Sequence, residues 1–118
     1  MKFRGVMIGS DNPESLGAFY TKVLGKPGFR DGTWFGWDDN AQLMIGGHSE
    51  VNGKNALPQR MMLTVEVKNV SKSFEKIKAM GATVVAEPYK PDPDGKNWLA
   101  TLEDPDGNFI QLATPWRD

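Results

Sequence analysis

Alternation along the candidate strands brings one short set of residues to a common face: Gly5, Met7, Gln42, Met44, Met62, Thr64, Glu66, Phe109 and Gln111. Two tryptophans join that face across hairpins, Trp34 read opposite Met44 and Trp98 read opposite Ala113. Thioethers and aromatic rings with few polar groups suit a small apolar or aromatic molecule of loosely defined shape. Glu66 is the sharpest member. Beside Thr64 and Met62, a partly desolvated carboxylate would act as a base or hold a cation; close to a strand end, it would reach water instead. Gln111 offers an amide either to orient a ligand or to close a structural hydrogen bond. Methionine and tryptophan at buried spacing also fill cores, so the same residues fit a collapsed interior with no ligand.

Other chemistries find little footing. With no cysteine, the chain has no disulfide, thiolate nucleophile or sulfur-bound zinc. The single histidine, His48, sits in a polar stretch and reads as solvated; it completes no Ser-His-Asp set. Asp92-Pro93-Asp94-Gly95 lacks the spaced downstream acids of a calcium loop and reads as a turn. Lys72, Lys76 and Lys78 form a solvated helix face. A net charge of −1 with no Lys/Arg block argues against nucleic acid and against anionic membrane surfaces. The apolar runs are too short to span a bilayer and no signal-peptide core follows Met1, so the cytoplasm is the expected location.

The elements that must position the common face follow from local signals. Residues 3–8 alternate as a strand. Ser10-Asp11-Asn12-Pro13-Glu14 combines a capping side chain, a first-turn proline and an acid near the positive helix end. Leu16, Phe19, Tyr20, Val23 and Leu24 then recur at helical spacing, and Gly25 closes the helix. Residues 26–32 are turn-rich, with room for a short edge strand. A hairpin follows, 33–37 and 41–47 around Asp38-Asp39-Asn40, and then a polar loop over 48–59. The order then repeats: strand 61–67, helix 71–80 ended by Gly81, strand 82–87, loop 89–96, and a hairpin turning at Asp104-Pro105-Asp106-Gly107. At 118 residues this is a single domain, built from two β-α-β-β-β modules at about 1–57 and 58–118.

The stretch from Asp11 to Gly25 with its Phe19-Tyr20 pair, Val65 to Val70, Met80-Gly81, and Asp104 to Leu112 together resemble the vicinal oxygen chelate superfamily, which includes glyoxalase I, extradiol dioxygenases and bleomycin-resistance proteins. The resemblance spans nearly the whole chain. It implies an α+β fold in which the two modules build a curled, mixed half-barrel sheet around a cavity, with the helices outside. It also implies a homodimer, and in the enzymes a divalent metal held by four residues, on the first and last strand of each module. Carried over one at a time, those positions fall on Gly5, Met62 and Gln111, and near Met44. None is His or Glu, and thioethers and neutral amides are poor ligands for hard or borderline metals. No metal and no cofactor is therefore expected.

The resulting expectation is metal-independent binding of a small apolar or aromatic molecule, as bleomycin-resistance-like members sequester drugs. Two alternatives stand beside it. One is a glyoxalase-like lyase or isomerase using Glu66 as base or a non-standard metal site; the other is a dimerising module with a filled cavity.

Overall fold

The computed structural model describes residues 1–115; the last three residues of the second module lie outside the described residues. The chain divides into two compact units, Met1–Lys54 and from Asn55 onward. Each repeats the same order of elements. In the first, β1 (Gly5–Ser10) leads into α1 (Pro13–Leu24), followed by β2 (Phe29–Asp31), β3 (Trp34–Asp39) and β4 (Ala41–Gly47). In the second, β5 (Leu63–Glu66), α2 (Val70–Ala79), β6 (Val84–Tyr89), β7 (Leu99–Glu103) and β8 (Phe109–Ala113) come after a single 3-10 turn, Pro58–Arg60. The α+β class and the two β-α-β-β-β modules are those expected from the sequence.

Each module forms its own four-stranded mixed sheet, ordered β1-β4-β3-β2 and β5-β8-β7-β6. The first strand of each lies parallel to the last, and the remaining pairs are antiparallel. A parallel pair needs a crossover, and the helix supplies it.

The helices start and stop where capping chemistry dictates. Asn12 Oδ1 accepts the Ser15 N–H at 3.3 Å, Pro13 opens α1, and Gly25, at φ 93°, ends it with its N–H on the Thr21 carbonyl at 2.9 Å. In α2 the cap is Asn69, whose Oδ1 accepts the Lys72 N–H at 3.0 Å, and Gly81 at φ 94° turns the chain away. That cap starts α2 one residue before the expected Ser71. The strand expected over 82–87 runs on to Tyr89 through Pro88, which an edge strand tolerates because the missing N–H can face outward.

Helix-facing side chains form the two cores. Leu16, Phe19 and Tyr20 of α1 are buried, as are Phe35, Trp37, Leu43 and Ile45 of β3 and β4. Val70, Phe74 and Ile77 of α2 pair in the same way with Ala100, Leu102, Ile110 and Leu112. Each such large side chain contributes roughly 1.5–3 kcal/mol by leaving water. Two aromatic details fix α1 on its sheet. The Trp37 indole N–H donates to the Gly25 carbonyl at 2.8 Å, tying β3 to the end of the helix. A Cβ on Gly17 would lie 2.5–2.6 Å from three consecutive atoms of the Phe35 ring, so the ring lies face-on against the helix backbone where no side chain intervenes.

Candidate functional site

The helix-free face of the first sheet is built in cross-strand rows. Register sets Met7 opposite Met44, Met44 opposite Gly36, and Gly36 opposite Phe29. In a neighbouring row Gly9 pairs with Gly46 and Trp34 with Asp31, the Trp34 ring lying against Gly46; a third pairs Gly5 with Gln42 and Gln42 with Asp38. Of these, Met7, Phe29, Trp34, Gly36, Asp38, Gln42 and Met44 line a groove of about 670 Å³, bounded also by Arg4, Gly28 and Trp37. Its middle is apolar: Met7 and Phe29 are about half exposed and Trp34 is 37% exposed. One end is polar, with Arg4, Asp38 and Gln42.

Glycine shapes the floor. Gly36 and Gly46 sit inside strands with ordinary extended backbones, so neither is demanded by a positive φ. A Cβ on Gly36 would meet the Met44 sulfur at 2.7 Å, and one on Gly46 would press into the six-membered ring of Trp34, 2.6 Å from Cδ2 and closer still to Cε3 and Cζ3. The Met44 thioether and the Trp34 indole therefore lie down over the two glycines. Strand glycines of this kind mark close approach rather than a turn.

The sequence expectation for this face holds in its side and fails in its register. Trp34 lies over Gly46, not opposite Met44, because Asp38 and Asp39 belong to the ladder and Asn40 alone, at φ 65°, makes the corner. The shift is two residues, so Trp34 and Met44 still share a face. Met7, Trp34 and Met44 are thus brought together. Phe29, Gly36, Arg4 and Asp38 were missed. The one available signal for Gly36 was glycine amid β-favouring neighbours, which sequence alone reads as weak strand.

The second sheet carries the other expected residues on its own helix-free face. Thr64 lies opposite Gln111 and donates its hydroxyl to the Gln111 side-chain oxygen at 3.3 Å, so that amide has a structural partner; Thr101 lies opposite it on β7 and is buried. Phe109, on the same face, is half-buried opposite Glu103. Glu66 is exposed opposite Ala113, and its carboxylate makes no hydrogen bond or ion pair among the described residues, so the desolvated setting considered for a base is not present in this module. Met62 precedes β5 and is 42% exposed.

Trp98 lies off this face, against the expectation that it would stand opposite Ala113. Leu99, not Trp98, lies opposite Ala113, and Trp98 pairs with Thr114: its N–H donates to the Thr114 hydroxyl at 3.0 Å and its carbonyl accepts the Thr114 N–H at 3.2 Å. A shift of one residue reverses the face, so Trp98 parts from Gln111 and stands by the Lys90 ammonium, 5.5 Å from its ring. The cause is the turn. Asp104 Oδ1 accepts both the Asp106 and Asn108 N–H groups at 2.9 Å, which draws Asn108 into the loop and lengthens it by one residue.

The positions at which a chelated metal would be held do not fit one. A side chain at Gly5 would collide with the Gln42 carbonyl oxygen. Met44 packs on Gly36, Met62 offers only an exposed thioether, and Gln111 is engaged by Thr64. His48 is an exposed loop residue whose Nδ1 accepts the Glu50 N–H at 3.1 Å. Among the described residues no cluster of three or more His, Cys, Asp or Glu could hold a metal ion. No helix among them is long and apolar enough to cross a membrane.

Paired β-α-β-β-β modules with sheets ordered first-last-third-second are the architecture of the vicinal oxygen chelate superfamily. Solved structures of that kind superpose on nearly the whole chain. A glyoxalase/bleomycin resistance protein from Albidiferax ferrireducens T118 is 25% identical, with a TM-score of 0.75 over 96% of this chain and 98% of its own. A glyoxalase/bleomycin resistance protein/dioxygenase family enzyme from Burkholderia phytofirmans PsJN is 22% identical, with a TM-score of 0.75 over 97% and 98%. A glyoxalase-related enzyme from Fulvimarina pelagi is 19% identical at the same TM-score of 0.75, over 98% and 88%. No curated protein matches the chain. The model of the glyoxalase-like domain family matches residues 5–113, and the chain belongs to that family.

Proposed function

We propose that this protein binds a small apolar or aromatic molecule without a metal, in the groove on the helix-free face of the first module. The observation that carries the reading is the groove itself: about 670 Å³ bounded by Met7, Phe29, Trp34 and Met44, with a polar end at Arg4, Asp38 and Gln42. An apolar body with few polar groups at one end is the usual make-up of a small-molecule site. The misfit of Gly5, Met44, Met62 and Gln111 to a metal supports the metal-free part. Nothing favours the alternative with Glu66 as base, since that carboxylate is exposed beside Ala113.

The test is tryptophan fluorescence during titration with small aromatic compounds, in EDTA and again with Mn²⁺, Ni²⁺ or Zn²⁺ added. The expected result is quenching that ignores EDTA and is lost in Trp34→Leu. A response seen only with metal present would overturn the reading and restore a metal-dependent enzyme.

A further inference from the structure

We infer that the groove selects flat, unsaturated rings over puckered ones, and that Gly46 is the positioning residue responsible, because it seats the Trp34 indole flat on the sheet. The inference rests on the binding reading above and goes further, naming the shape of the ligand and the residue that sets it.

Two strand glycines carry a cost that the backbone does not explain. Glycine inside a strand loses more backbone entropy than any other residue and packs nothing. Gly36 and Gly46 accept that cost on adjacent strands, on the same face, at backbone angles that any residue could adopt. Conformation does not explain them, so space must. Over Gly46, the Cβ position is crowded by three consecutive ring atoms of Trp34, Cδ2, Cε3 and Cζ3. An edge-on ring would bring one atom close and leave its neighbours well behind. Three atoms at nearly equal range mean that the indole face, not its edge, rests on the glycine.

A ring held by one face presents the other. Trp34 is 37% exposed and lines the groove, so the free face of a fixed indole forms one wall. Next to it, Met44 lies over Gly36, a polarizable and flexible thioether that can adapt to the edge of a bound ring. The Gln42 amide, half-buried at the polar end, makes no side-chain hydrogen bond among the described residues. Its carbonyl and NH2 are both available, which matches a ligand with a donor and an acceptor side by side, such as a carboxamide edge. Stacking on an indole requires a π-face and discriminates against a saturated ring of the same size. Any side chain at residue 46 would lift the indole off the sheet and tilt that wall.

Benzamide and cyclohexanecarboxamide test this directly, since they share a neutral carboxamide and differ in the flatness of the ring. Titration is followed by NMR, reading affinity from the backbone amides of Met7, Gln42 and Met44 in every variant and, where Trp34 is present, stacking from its indole N–H and the ring-current shift. In the unmodified protein benzamide should bind about tenfold more tightly, the size of one good aromatic pair. In Gly46→Ala the preference should fall to about twofold or less, with cyclohexanecarboxamide affected little. Trp34→Leu keeps an apolar wall without a π-face and should abolish the preference too, so the inference remains testable if Gly46→Ala does not fold. Equal binding of both amides by the unmodified protein would overturn the flat-ring inference and leave the groove reading intact. Binding of neither would overturn both. A preference that survives in folded Gly46→Ala would remove the role assigned to Gly46.

Discussion

Replacing Gly17 by alanine sets two physical effects against each other, and the structure says which wins. Gly17 is in the interior of α1, where alanine is favoured over glycine by about 1 kcal/mol of helix propensity. A surface helix would be stabilised by that amount. Here the new methyl would sit 2.5–2.6 Å from Cε1, Cζ and Cδ1 of Phe35, well inside van der Waals contact. The ring cannot simply retreat. It is only 3% exposed, stacks near Trp37 at 6.2 Å, and carries the Arg30 guanidinium 3.9 Å from its centroid. Overpacking of this kind costs about 1–3 kcal/mol, and displacing the ring also weakens the Arg30 contact, worth roughly 0.5–1 kcal/mol at an exposed site. Subtracting the propensity gain leaves a net loss of about 0.5–3 kcal/mol. Urea unfolding followed by circular dichroism would show this as a lower midpoint at unchanged slope. The control is Phe35→Leu, which removes the ring; made in that background, Gly17→Ala should recover most of its helical gain, giving a coupling of about 2 kcal/mol. A Gly17→Ala protein more stable than the original, or the absence of coupling to Phe35, would refute the packing argument.

Two further outcomes follow from single hydrogen-bond arrangements. Asp104→Ala removes the oxygens that accept from the Asp106 and Asn108 N–H groups and the Asn108 amide, in a residue only 4% exposed; unfolding experiments should show a loss of about 2–4 kcal/mol, with protection of those backbone amides from hydrogen exchange falling alongside it. Trp37→Phe keeps most of the ring but deletes the 2.8 Å bond to the Gly25 carbonyl, and should cost about 1–2 kcal/mol in thermal or urea unfolding, with early fraying of the last turn of α1 visible by hydrogen exchange.

What could be read from the chain was whatever short-range chemistry controls. Asn12 and Pro13 start a helix and Gly25 stops it because caps act over one turn, and the same holds for Gly81. Alternation separated Leu43, Ile45, Ile110 and Leu112 from the opposite face because strand side chains change sides at every residue, whatever lies beyond. The repeat of two modules was legible for the same reason, and so were the poorly chelating residue types at Gly5, Met44, Met62 and Gln111.

Register was decided by tertiary structure, because it depends on how many residues a turn consumes. At Asn40 the corner takes fewer residues than its polar run suggests, which moves Trp34 by two and keeps its face. At Asp104 the side chain captures Asn108, adds one residue to the loop and turns Trp98 away. Burial was decided there too: Glu66 is exposed because its neighbour across the ladder is Ala113 and nothing in the module covers it. The floor of the groove was the least legible feature. Gly36 and Gly46 look like weak points in strands until Met44 and Trp34 are found lying on them, and that contact exists only once β3 and β4 are paired in their actual register.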